Sequence, residues 1–118
     1  MRIAWVAAVA AMFTLHGGIA AAHAFLDEAD PRVGSSVRTA PTELVLRFTQ
    51  DLEPAFSTVT VADASGQRVD AGKPSFSGNL IRVPLRALGA GRYRVTWRVL
   101  SVDTHSTEGA FSFGVDTP

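Results

Sequence analysis

The sequence contains no cysteine, which excludes disulfide bracing, thiolate nucleophiles and sulfur-held metal clusters. Methionine is nearly as scarce: both copies, Met1 and Met12, lie within the first 22 residues. Net charge is absent too, with 11 basic residues against 11 acidic ones. No basic run, heptad or phosphate-cradling glycine loop occurs, so nucleic acid and nucleotides have no feature to bind. Long apolar runs are missing as well. The longest, Ile3 to Leu15, falls short of the about 20 residues that span a bilayer. It follows the small positive start Met1-Arg2 and runs on to Gly17-Gly18 and Ala20-Ala21-Ala22, the pattern of a cleaved secretory signal.

Residues 1–22 are therefore expected to be removed on export and residues 23–118 to form the mature domain. The small-x-small rule permits cleavage after Ala22, and equally after Ala24 through Ala22-His23-Ala24. The first cut makes His23 the new amino terminus; the second discards it. The first leaves 96 residues, enough for one hydrophobic core and too few for two, with a formal charge of about minus one once Arg2 is gone. With no sulfur left in the mature chain, any metal it binds must be held by nitrogen and oxygen.

What is present is alternation. From Thr42 to Thr49, Leu44, Leu46 and Phe48 share one face, predicting a half-buried strand. Ser57 to Ala62 repeats the pattern with Val59 and Val61, and Asp63-Ala64-Ser65-Gly66 reads as a hairpin turn into a short strand over Gln67 to Asp70. Gly72 to Asn79 reads as polar loop, and Ile81, Val83 and Leu85 mark a strand that Pro84 assigns to a sheet edge. The turn-rich passage from His23-Ala24-Phe25-Leu26 through Asp30-Pro31 to Gly34-Ser35-Ser36 fits a short edge strand and its exit. Arg92 to Leu100 alternates without interruption, with Tyr93, Val95, Trp97 and Val99 on one side, and Phe111, Phe113 and Val115 form a last inward face. No window reads as a helix. The expected fold is all-β, a single Greek-key sandwich or barrel of about seven strands, with Trp97, Phe111 and Phe113 in its core.

Between the two strongest strands lies Ser101-Val102-Asp103-Thr104-His105. On an extended backbone Asp103 and His105, two residues apart, project to the same side. A lone Asp-x-His in a loop is ordinarily a turn aspartate beside a solvated histidine, and a histidine beside a cleavage site is unremarkable by itself. The conjunction carries more weight, because His23 and His105 are the two histidines that remain after residue 22. A terminal histidine offers a chelate of α-amine and imidazole, and the amine's ordinary pKa of about 7.7 to 8.0 makes it available near neutrality. With His105 and Asp103 added, the donors are three nitrogens and one oxygen. That set suits tetragonal Cu(II), which the Irving–Williams order also favours; zinc accepts the same side chains but tetrahedrally.

These features resemble the CopC family of exported copper-binding proteins. The resemblance rests on the His23-Ala24 start, Asp30-Pro31, Leu46-Arg47-Phe48-Thr49, Gly91-Arg92-Tyr93, Trp97-Arg98-Val99 with the Ser101–His105 segment, and Gly109-Ala110-Phe111-Ser112-Phe113. It implies a cupredoxin-like, immunoglobulin-like sandwich and one Cu(II) per chain, held by the amine and side chain of His23 with Asp103 and His105. It also tips cleavage toward Ala22. A periplasmic or otherwise extracytoplasmic setting, a monomer, and a membrane copper transporter of the CopD type as partner are the accompanying expectations, while the sequence itself fixes neither oligomeric state nor copper donor and acceptor. Two departures stand out. The methionine-rich Cu(I) site of some members has no methionine here, and the Glu that members often carry after the first long strand is replaced by Gln50, with Glu53 a weaker substitute.

The leading expectation is a copper carrier or buffer without chemical turnover, serving copper homeostasis or resistance. A copper-dependent oxidase or monooxygenase is the first alternative, since such enzymes also use an amino-terminal histidine; small size and the Asp103 carboxylate, occupying a position oxygen would need, stand against it. A metal-free immunoglobulin-like interaction module is the second.

Overall fold

The computed structural model of the protein describes residues 24–117. The expected signal segment 1–22 and His23 lie outside the described residues. Eight strands form two four-stranded sheets: β1 (Leu26–Asp30), β2 (Ser36–Val37), β3 (Glu43–Phe48), β4 (Thr58–Asp63), β5 (Ser75–Ser77), β6 (Leu80–Pro84), β7 (Gly91–Leu100) and β8 (Ser106–Val115). One sheet has the order β1-β3-β6-β5 and the other β2-β8-β7-β4. The helical content of the described residues is one 3-10 turn at Pro54–Phe56.

The alternation fixes which faces meet. Leu44, Leu46 and Phe48 from β3, with Ile81 and Val83 from β6, oppose Val59, Val61, Val95, Val99 and Phe113 from the other sheet, all of them buried. Trp97 bridges the layers edge-on to Phe48, with ring centroids 5.1 Å apart at 77°, a favoured aromatic geometry. At the far end Tyr93 stacks on Phe113 and donates its hydroxyl to the Gly89 carbonyl at 2.6 Å.

Four local expectations need correction. Two short strands, β2 and β5, stand where the sequence predicts none: two and three residues are too short to display a period. β5 falls inside the stretch read as polar loop. Gln67 to Asp70 is no strand but a crossing between sheets, in which Val69 donates to the Val61 carbonyl at 2.8 Å and accepts from Arg86 at 2.9 Å. Finally, β6 is interior, between β3 and β5. Pro84 is tolerated there because β5 pairs only with Leu80, Ile81 and Arg82, so no donor is demanded of Pro84 on that side.

The crossing also closes the free edge of β4. Asp70 accepts the Val61 N–H at 3.0 Å and holds the Arg68 guanidinium at 2.7 Å through both carboxylate oxygens. Arg68 chiefly, assisted by Val61, lowers the Asp70 carboxyl to about 2 against the opposing effect of burial. A depressed carboxyl stabilises the fold above its unfolded pKa, and the gain is lost as pH falls through the folded value. Asp70→Asn is therefore expected to cost roughly 1 to 2 kcal/mol near neutrality, allowing for the exposed Arg68. Its deficit should shrink between about pH 4 and pH 2, as urea unfolding at several pH values would show. A deficit independent of pH would mean that Asp70 acts by shape and not by charge.

Candidate metal centre

The Ser101–His105 segment joins the end of β7 to the start of β8, at one end of the sandwich. Its architect is Ser101, which continues the inward phase of Val95, Trp97 and Val99 and is fully buried. Its hydroxyl donates to the Asp103 carboxylate and also lies within hydrogen-bonding distance of the His105 carbonyl at 3.1 Å. Its N–H donates to the His105 carbonyl at 2.9 Å, and its carbonyl accepts the Thr104 N–H at 2.9 Å. Thr104 takes a left-handed backbone with φ of 72°, unfavourable for a residue with a Cβ and tolerated where surrounding bonds enforce it.

The segment is thus a tight turn and not the extended backbone expected from the sequence. The outcome for the side chains is the same by a different route: His105 Nδ1 stands 3.5 Å from Asp103 Oδ1, both side chains about half exposed. The Ser101 hydroxyl, and after it His105, hold the Asp103 carboxyl below its ordinary value. Asp103 therefore remains an anionic donor into mildly acidic solution.

Two neighbouring segments frame this turn. Asp51 accepts the Val102 N–H at 3.0 Å, Glu53 donates to the Leu100 carbonyl at 2.8 Å, and Leu52 bridges Ser101. The stretch holding Gln50 and Glu53 consequently lies against the turn. Glu53 does not join Asp103 and His105 in a group of three donors, and among the described residues no three His, Cys, Asp or Glu side chains converge in a way that could hold a metal. The second neighbour is the start of the described chain. Ala24 is fully buried, and its carbonyl accepts the Thr107 hydroxyl at 2.6 Å. Phe25 and Thr49 tie down the next residue, the Phe25 N–H donating to Thr49 Oγ1 and the Thr49 N–H to the Phe25 carbonyl, both at 2.9 Å. Ala24 is thereby pinned two residues along β8 from His105.

Sequence reasoning missed Ser101, Thr49 and Thr107 as parts of this site. The signal for Ser101 was available, since it occupies the next inward position after Val99. Thr49 and Thr107 act through pairings 24 and 83 residues long, which no local pattern reports.

The CopC domain family model matches residues 26–116. The chain belongs to the CopC family. Among CopC-related proteins, the copper resistance protein C of Xanthomonas campestris pv. juglandis is 36% identical over 111 residues, covering 86% of this chain and 87% of that protein. CopC from Methylosinus trichosporium OB3b superposes with a TM-score of 0.75 at 33% identity, covering 80% of this chain and 95% of that one. PcoC of Escherichia coli, described as a methionine-rich copper resistance protein, superposes at 0.71 with 31% identity and coverage of 80% and 99%. The CopC unit also occurs within larger proteins: the chain spans 18% of the length of the copper transport protein CutJ of Bacillus subtilis, 28% identical over 98 residues. Against PcoC, this CopC chain is distinguished by having no methionine after Met12.

Proposed function

We propose that the protein binds one Cu(II) as cargo through the amine and imidazole of His23 together with Asp103 and His105, and carries or buffers it outside the cytoplasm without chemical turnover. The observation that carries this reading is the bond of the Ala24 carbonyl to Thr107, two residues beyond His105. On that ground we take His23, the residue preceding Ala24 in the sequence, as the remaining ligand. The donor chemistry is consistent: a carboxylate and an imidazole, both reachable from solvent and already oriented by Ser101, with no sulfur to favour Cu(I). Cleavage after Ala22 and export to the periplasm follow from the same reading. No helix of the described residues is long and apolar enough to cross a membrane, and we assign copper exchange to a membrane transporter of the CopD type.

The test is a competition titration with Cu(II) and Cu(I) on the secreted protein and on His105→Ala and Asp103→Ala. Cu(II) should bind at one site far more tightly than Cu(I), and each substitution should weaken it at least tenfold while leaving the metal-free melting temperature within a few degrees. Both residues are exposed, so neither contributes a buried apolar contact. Equal affinity for both oxidation states, or unfolding of metal-free His105→Ala, would overturn the reading.

A further inference from the structure

The outward face of the β2-β8-β7-β4 sheet carries a row of arginines that the copper site does not use. Arg92, Arg94 and Arg98 are exposed on the outward side of β7, with Thr96 between the last two, and β7 is an interior strand of that sheet. Side chains two residues apart on a strand stand about 7 Å from one another. Beside Arg92 and Arg94 the register places only Gly114, Ser112 and Ala62, none of which can answer a positive charge. Arg98 faces Glu108 across β8, yet among the described residues none of the three arginines forms an ion pair. The opposite sheet is built differently: there Arg47 pairs with Glu28 at 3.4 Å and Arg82 with Glu43 at 3.0 Å. Three like charges in line repel one another and contribute nothing to the sheet.

We propose that this row is a docking surface for an extended acidic segment of a partner protein. A strand-like segment with carboxylates at alternate residues repeats at about 7 Å, so that of four successive carboxylates three fall opposite Arg92, Arg94 and Arg98 and one opposite Thr96, and guanidinium matches carboxylate in a two-pronged geometry that a point charge lacks. An anionic bilayer fits less well. The outward positions of β4, β7 and β8 hold Thr, Ser, Ala, Gly and charged residues, with half-buried Leu100 the one larger aliphatic side chain among them, too little apolar surface to enter a membrane interface. The row runs toward Leu100, where the Ser101–His105 turn begins, so a segment bound along it ends beside that turn. The surface does not depend on copper being the cargo.

The experiment titrates the full chain with the capped peptide Thr-Glu-Thr-Glu-Thr-Glu-Thr-Glu-Thr, following backbone amide shifts and affinity at ionic strengths of about 0.01 M and 0.15 M. Shifts should map to β7 and its neighbours, and affinity should fall with salt. The variant combining Arg92→Gln, Arg94→Gln and Arg98→Gln should bind at least tenfold more weakly, while lysine at the same three positions should restore only part of the loss. Melting temperatures should be unchanged in both. Unaltered binding in the glutamine variant, or no binding by the natural chain at low salt, would overturn the proposal. Phosphatidylglycerol vesicles that capture the natural chain when the peptide does not would assign the face to a membrane. Arginine-dependent self-association in sedimentation would assign it to a second copy; either result replaces the acidic partner.

Discussion

Retaining a single residue ahead of His23 should lower Cu(II) affinity by orders of magnitude without altering the fold. An added residue converts the α-amine into an amide, removing one nitrogen and breaking the chelate ring, while both imidazoles, Asp103 and every strand remain. The protein processed after Ala22 and a form carrying one extra alanine therefore make a clean pair, once intact mass has verified each terminus. The Cu(II) spectrum of the extended form should report one nitrogen fewer. Affinity of the processed form should also decline as pH falls from about 8 to 5, because protons compete with the metal for the α-amine, whose ordinary value is about 7.7 to 8.0, and for the other nitrogen donors. Asp103 should not limit binding in that window, since Ser101 and His105 hold its carboxyl below the usual carboxylate range. Equal affinity in the two forms would show that the amine is not a ligand.

Trp97→Ala should do the reverse, removing stability and sparing the metal-binding groups. Trp97 is 7% exposed, and its ring fills the space between the sheets, edge-on to Phe48. Its other side lies on Gly109, where an added Cβ would come within 2.5 Å of the ring. Deleting such a side chain costs roughly 3 to 5 kcal/mol through lost burial and the cavity left behind, on the order of 15 to 30 °C in melting temperature for a domain of this size. Trp97→Phe keeps an aromatic in the space and should cost less. Should the alanine variant fail to fold, the phenylalanine variant still tests the claim, by losing stability while retaining Cu(II) affinity. A Trp97→Phe protein of natural stability that no longer binds Cu(II) would place the indole in the site's function instead of the core.

How much of this was legible in the sequence depends on the length over which each feature is encoded. The alternation of Leu44, Leu46 and Phe48, and of Tyr93, Val95, Trp97 and Val99, is written in consecutive residues, and the inward faces follow from it directly. The pairing of Asp103 with His105 was legible for the same reason, although the backbone there is not extended: Ser101 and the left-handed Thr104 build a tight turn. Hydrogen bonds of Ser101, not strand geometry, bring the two side chains together.

The sequence by itself determined an all-β sandwich with an aromatic core, a sulfur-poor donor set, and an Asp-x-His between the two strongest strands, because composition and period-two patterning are local properties. Only the tertiary structure decided that β6 is interior, that Gln67 to Asp70 crosses between sheets, that Arg92 and Arg94 stand in a row without carboxylates, and that Ala24 rests beside the Asp103–His105 turn. Each of these depends on which strands become neighbours and in what register. That choice is made by packing between residues far apart in the chain, such as Ala24 with Thr107 and Phe48 with Trp97, and no short window of sequence contains it.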